Sequence, residues 1–412
     1  MNSSLPSQST IPANGSLDAL SGIQKWYGGW QDVEEKDVEN LSKQLLRGTL
    51  TVPHGGLLNQ FERKFAQFAG ASHCVAFNNG TASLYAALWA LGIGPGDEVL
   101  ACDYGYHGVA AAISTLGAHL VPCDMDPETL ALDPETIASR LTTRSKAVLL
   151  HHPWGVPAGI EAIRRATDLP IISDASHAHG ATHQGKPLGH WADITCYSLG
   201  MRKLITGGEL GAAVTNNPEL RDKMVVLGHV KRAAQDIKTF EWTSDAVGLK
   251  LRPHIAGLAL ATPQIKRFDA KKKRLQATCR EIETLFEANG FRPQKVRTGD
   301  ERVYWRLVFQ VPQEEWGDTP IQMIEESLRA GGLPVEPNHY WPLLQHQAPY
   351  QWPGAEQKVV PHRCEVAETI VPRLITLPAP VVLPESEMEK VKTAVEATSQ
   401  RFRQSQQAVL AN

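Results

Sequence analysis

The sequence predicts an α/β fold: a large domain built on a mostly parallel central sheet, followed by a smaller C-terminal α+β domain. Two patterns carry this. Between residues 57 and 173, short apolar runs of strand length alternate with stretches of helical periodicity, the spacing of parallel strands joined by crossover helices. Near residue 268 the texture changes to a long charged helical stretch, followed by strand and helix patterns of different spacing. A chain of 412 residues is long enough for two such units.

The elements follow in order. Residues 57–68 have helical spacing with charges on one side, and 73–77 form an apolar strand. A helix over 81–91 ends at Gly92. Strands at 98–102, 119–123, 147–151 and 170–173 are separated by helices at 109–115, 134–141 and 160–167. In the C-terminal part, a helix at 270–289 precedes a strand at 304–310 and helices at 320–330 and 385–401. The large domain is placed at 23–267 and the small one at 268–400. The Ser-, Asn- and Pro-rich residues 1–22 and the Gln-rich residues 401–412 are expected to be disordered or flexible.

Composition excludes several classes. Net charge is −3, and the one basic run, Lys271-Lys272-Lys273-Arg274, reads as a solvated helix face rather than a nucleic-acid patch. The six cysteines have neither zinc-ligand nor redox spacing, so they read as buried, reduced thiols. Residues 1–22 lack a signal peptide's basic start and apolar core, and no apolar run is long enough to cross a bilayer. The chain is expected to be cytoplasmic, with no nucleic-acid or membrane partner. Gly92-Ile93-Gly94-Pro95-Gly96 follows a helix and precedes a strand, the reverse of a dinucleotide fingerprint. No metal site is expected from His151, His152, His177 and His179, and no serine sits in a nucleophile elbow.

Three segments could carry chemistry. Gly80-Thr81-Ala82-Ser83 opens a helix after a strand, where backbone amides and hydroxyls suit a phosphate; an ordinary N-cap by Asn79 or Thr81 explains the same residues. Asp174 follows the apolar run Ile171-Ile172-Ser173, so it should lie at the sheet's carboxyl edge, where a carboxylate can hold a ring nitrogen protonated or merely cap a turn. Lys203 lies in a Gly-bounded segment after Ser198. Its apolar neighbours would desolvate the amine and favour Schiff-base chemistry, against the surface role most lysines have. Their order, each after a strand, ties the three together.

These segments resemble the DegT/DnrJ/StrS family of aminotransferases that use pyridoxal 5′-phosphate (PLP), over about residues 44–395. The resemblance runs through Arg47-Gly48-Thr49-Leu50, Gly55-Gly56, Asn79-Gly80-Thr81-Ala82-Ser83-Leu84 and Gly94-Pro95-Gly96-Asp97-Glu98-Val99. It continues in Asp174-Ala175-Ser176-His177-Ala178-His179-Gly180, in Ser198 five positions before Lys203, in Gly208-Glu209-Leu210-Gly211-Ala212 and in Leu377-Pro378. It implies a fold-type I PLP enzyme that aminates keto-sugars, keto-cyclitols or related ketones in a biosynthetic pathway. Glutamate or glutamine is the implied donor. By the same resemblance, Lys203 bonds the cofactor's aldehyde and shuttles a proton, Asp174 pairs with the pyridinium nitrogen, and His177 lies against the phenolic edge. Gly80, Thr81 and Ser198 grip the phosphate, and Tyr106 stacks on the ring. A homodimer is implied, with the partner's 248–254 loop completing each site.

The chain also departs from the family. Lys250 in Gly248-Leu249-Lys250-Leu251-Arg252 stands where relatives have asparagine; it serves either as a phosphate contact or as a solvated cation. The Pro-Leu-His stretch near the substrate becomes Pro342-Leu343-Leu344-Gln345-His346, and Ile255-Ala256-Gly257 replaces a Glu-Leu-Gln. Two other readings therefore stand beside an aminotransferase: a PLP-dependent dehydratase, decarboxylase or lyase on the same fold, and a non-enzymatic PLP-binding regulator. Lys203 argues against the family's dehydratases, which lack that lysine. The intact set Lys203, Asp174 and Ser198 argues against a decayed site.

Overall fold

A computed structural model describes residues 33–48, 55–229, 231–232, 236–237, 239, 248–336, 340–347 and 358–410, with side chains to residue 402. Helices α1 (Glu35–Leu46) and α2 (Gly56–Ala69) lead into strand β1 (His73–Phe77). Then come α3 (Gly80–Ala90), β2 (Glu98–Cys102), α4 (His107–Thr115), β3 (His119–Cys123), α5 (Pro134–Ala138) and β4 (Ser145–His151). Helix α6 (Ile160–Ala166), β5 (Ile171–Asp174), the hairpin β6 (Thr182–His183) and β7 (Lys186–Pro187), β8 (Ile194–Ser198), β9 (Gly211–Thr215) and α7 (Pro218–Gly228) follow.

Seven strands form one sheet in the order β1-β9-β8-β5-β4-β2-β3. Strands β3, β2, β4, β5 and β8 run parallel, and only β9 opposes its neighbours β8 and β1. The expected mostly parallel α/β sheet is therefore present. Both faces are covered, and β2 and β9 are buried at every position, as the continuous apolar runs of crossover-connected strands require. The parallel direction brings the carboxyl ends of β4, β5 and β8, at His151, Asp174 and Ser198, to one edge.

Residues 292–378 form a second, three-stranded antiparallel sheet: β10 (Arg292–Pro293), β11 (Arg306–Gln310) and β12 (Leu374–Pro378). Joining the two sheets is α8 (Ile255–Ala288), one helix of 34 residues and about 50 Å. The sequence pattern separates Ile255-Ala256-Gly257 from a helix at 270–289. The chain instead runs straight through Pro263, and position 268 lies inside the helix. Gln264 bridges the proline's neighbourhood: its side-chain amide donates to Leu260 O and Thr206 O at 2.8 Å each and accepts from Thr206 N at 3.0 Å.

Other expectations need correction. The two longest helices after the second sheet begins are α9 (Ile321–Ala330) and α10 (Glu385–Leu410). The last continues nine residues past Arg401, because a Gln-, Ala- and Leu-containing tail keeps good helix propensity despite its polarity. Lys271 is not on a solvated face: it is 2% exposed, and its ammonium donates to Leu204 O at 2.8 Å. Lys272 reaches Gly180 O and Glu301, each at 2.7 Å. Here α8 packs against the segment carrying Lys203, so long cationic stems bury while their heads find carbonyls. All six cysteines are buried and free. The expected disorder of residues 1–22 falls outside the described residues.

Candidate active site

A cavity of about 690 Å³ opens at the carboxyl edge of the main sheet. Its floor is the start of α3. Asn79 caps this helix, its side-chain oxygen accepting from Ala82 N at 2.8 Å, and the Ser83 hydroxyl donates to Gly80 O at 2.6 Å. The cap and the phosphate-type site are thus compatible: Asn79 fixes the helix start, while the first amides, which have no intrahelical acceptor, head a positive dipole at Gly80 and Thr81 on the cavity wall. Close approach demands the glycine. A Cβ at Gly80 would lie 2.6 Å from Ser198 Cβ, so the two strand ends could not converge around an anion. At Gly108 a Cβ would meet Thr81 Oγ1 and the Tyr106 ring at 2.8 Å each.

Above this cradle stand Asp174, His177 and Lys203. Asp174 is buried; its Oδ1 accepts from Ser176 N at 2.9 Å, and Ser176 Oγ in turn accepts from Ser198 N at 2.9 Å. One serine therefore joins the β5 and β8 ends. Burial raises the Asp174 carboxyl above its ordinary range, against the opposing pull of Ser176 and of the Lys203 charge. Lys203 is half-buried. Burial lowers its ammonium to about 8, the Asp174 carboxylate opposing and Arg306 adding to the shift. The Lys203 nitrogen lies 4.2 Å from the centroid of the Trp305 ring, which itself stacks on His177 at 3.7 Å and 12°. Burial, helped by Lys203, holds His177 neutral, and its Nε2 lies 3.0 Å from Tyr340 Oη.

Comparison with known proteins decides what this arrangement belongs to. The DegT/DnrJ/EryC1/StrS aminotransferase family model matches residues 31–396. The chain belongs to this family. It is 31% identical over 414 residues to the L-glutamine:2-deoxy-scyllo-inosose aminotransferase of Streptoalloteichus tenebrarius, covering 93% of this chain and 92% of that protein. It is also 32% identical over 304 residues to the GDP-perosamine synthase of Caulobacter vibrioides, covering 71% and 80% of the two chains. Among solved structures, 3-amino-5-hydroxybenzoic acid synthase superposes with a TM-score of 0.76 at 26% identity, over 90% of this chain and 98% of that one. The aminotransferase from Psychrobacter cryohalolentis gives 0.81 at 24% identity, over 90% and 98%. The protein is accordingly an aminotransferase.

Within this aminotransferase, seven residues singled out from sequence (Gly80, Thr81, Tyr106, Asp174, His177, Ser198 and Lys203) line the one cavity. Tyr106, at the N-cap of α4, remains 46% exposed at its mouth. Lys250 is exposed and does not line the cavity of its own chain, although its neighbour Leu251 does. The altered stretch at 342–346 has a supporting role. Gln345 is buried, its N and Nε2 donating to the two Asp103 oxygens at 2.9 and 2.6 Å, while Leu344 N donates to Asp103 O at 2.8 Å. These bonds pin the loop that carries Tyr106.

Several contributors escaped sequence reasoning. Trp305 and Tyr340 come from the C-terminal part, and the Trp305 indole donates to Arg202 O at 2.7 Å, fastening the reactive segment to the second sheet's edge. Ser176, Gln264 and Lys271 brace the segments around Asp174 and Lys203. Only Ser176 had a local signal, its place inside the Asp174–Gly180 motif; the others are near the site solely through the fold.

Proposed function

We propose that this aminotransferase carries pyridoxal 5′-phosphate on Lys203 and transfers an amino group from glutamine or glutamate to a keto-cyclitol, keto-sugar or related cyclic ketone. The observation that carries the reading is the convergence of a poised amine, a buried carboxylate and an anion cradle in one cavity. The residues fit the cofactor: the Gly80–Ser198 approach leaves room for an anion that a Cβ would remove, and the raised Asp174 carboxyl is one that a cationic ring nitrogen would return to its charged form. When bound, PLP supplies an electron sink and a temporary carrier for the amino group.

The chain's own groups do the rest. Gly80, Thr81 and Ser198 bind the anionic tail through amides and hydroxyls at a helix N-terminus. Asp174 accepts the hydrogen bond that keeps the ring nitrogen protonated. Lys203, its pKa lowered to about 8, takes a proton from the substrate carbon as a free amine and returns it as an ammonium. Tyr106 covers the ring face, and Trp305 and Tyr340 exclude water from the Lys203 side. A second copy of the chain would bring its 248–254 loop to the mouth, with Lys250 as a point charge on the phosphate. Among the described residues no helix is long and apolar enough to cross a membrane.

The donor and acceptor classes rest on the relatives, one of them named for L-glutamine and 2-deoxy-scyllo-inosose. The decisive test incubates the PLP-reconstituted enzyme with amine-labelled L-glutamine or L-glutamate and a panel of keto-cyclitols and nucleotide-linked keto-sugars. Label in a cyclic amine product is expected. Retention of all label in the donor across the panel, with a lysine-bound cofactor present, would overturn the assignment.

A further inference from the structure

His151 ends β4 and His152 follows it, and the two imidazoles differ in their bonding. His152 lines the same cavity, but both its ring nitrogens are engaged: its Nε2 lies 2.6 Å from Ser173 Oγ, and its Nδ1 accepts from Ala158 N at 2.8 Å. His151 is 8% exposed and lines the active-site cavity, yet its Nε2 has no hydrogen-bond partner among the described residues. Burial lowers it to about 4, so it is a neutral imidazole at physiological pH. An orphaned buried ring nitrogen costs stability, and native proteins keep one where something else completes it.

Sheet order says what that is. His151 is the register partner of Asp174 on the adjacent parallel strand, so their side chains leave the same face about one strand spacing apart. Ser198 lies on the opposite side of Asp174, on β8. Three neighbouring strands thus present, at one edge of the sheet, an anion-cradle hydroxyl on β8 two residues beyond Asp174's register partner Cys196, a carboxylate and an orphaned imidazole. A pyridine ring with its phosphate arm toward β8 and its nitrogen on Asp174 must turn its other edge, the one bearing the phenolic oxygen, toward β4. His177 is the family's counterpart for that edge, but its Nε2 is engaged by Tyr340 and its face by Trp305.

Resting on the PLP reading above, we propose that His151 is a further cofactor-contacting residue, its Nε2–H donating to the phenolic oxygen. Nearby at the same end of the sheet are Gly105, whose added Cβ would stand 3.9 Å from His151 Cε1, and the titratable groups Asp174, His177, Lys203 and Tyr106.

The test compares His151→Leu, which keeps the volume without the hydrogen bond, with His151→Gln, which retains a donor. Loss of one hydrogen bond should weaken PLP binding roughly tenfold in the leucine variant and move the pH midpoint of the holoenzyme's visible absorbance upward by about one unit. That direction follows because an anionic phenolic oxygen without its donor holds the neighbouring proton more tightly. Glutamine should restore part of both effects. Thermal unfolding of the apo-protein should not fall in the leucine variant, because the nitrogen removed has no partner there; a purely structural histidine would lower it. Unchanged affinity and midpoint in His151→Leu, or a loss of apo-stability that accounts for the weakened binding, would overturn the proposal. A wild-type protein that acquires no visible band with PLP would instead overturn the PLP reading itself.

Discussion

At the scale of single residues, the site works by holding charges where water cannot share them. Lys203 illustrates the balance. Desolvation makes the ammonium unfavourable, while Asp174 partly restores it, and the outcome is a pKa of about 8. The neutral, nucleophilic amine therefore gains population as pH rises through about 8 rather than near the ordinary lysine value of 10.5. The rate at which apo-enzyme condenses with PLP, followed by visible absorbance after rapid mixing, should reach half its plateau near that pH. In Asp174→Asn the group that raises the lysine's pKa is gone, so the midpoint should move to lower pH. A midpoint at or above 10 in the wild-type protein would contradict this account.

Elements set the distances on which those residues depend. Helix α2 is fixed to the start of the sheet by a buried ion pair: Arg232 donates to both Glu62 oxygens at 2.8 and 2.7 Å, and Glu62 also accepts from Ala76 N at 3.0 Å. Both partners are nearly inaccessible, at 2% and 6% exposure. Removing Arg232 strands the Glu62 charge, whereas Arg232 also donates to Asp236 at 2.5 Å. Arg232→Met should cost about 3–5 kcal/mol in denaturant unfolding, and pairing it with Glu62→Leu should recover most of the loss. If the single and double variants lose the same stability, charge pairing is not what matters there. Helix α8 performs the same task for Lys203, through Lys271 on Leu204 O and Gln264 on Thr206, so the Lys203 segment is clamped from its C-terminal side.

For the whole molecule, the proposed dimer turns on Lys250. Lys250 does not reach the cavity of its own chain, so a contribution to the phosphate must come from a second copy. Lys203→Ala and Lys250→Ala should each depress amino transfer, and mixing the two variants under exchange conditions should recover turnover that neither has alone. Recovery arises because one mixed site combines an intact lysine with an intact partner loop. Absence of recovery, with exchange verified by native mass spectrometry, would assign Lys250 to solvent.

Sequence by itself determined the parts that obey local rules. Strand edges at Glu98–Cys102 and His119–Cys123 are legible because apolar runs bounded by turn residues leave little freedom. The lysine, the aspartate and the glycine-led helix start are legible because their chemistry requires fixed spacing after a strand. Tertiary structure alone decided which distant groups complete the site. Trp305 and Tyr340 stand more than 100 residues beyond Lys203, Lys271 looked solvated in a charged run, and the helix through Pro263 looked interrupted; each is settled by what packs against it. His151 is the sharpest case. Nothing in its sequence neighbourhood separates it from His152; both line the cavity, and only the fold engages the two ring nitrogens of His152, on Ser173 Oγ and Ala158 N, while leaving His151 Nε2 without a partner among the described residues.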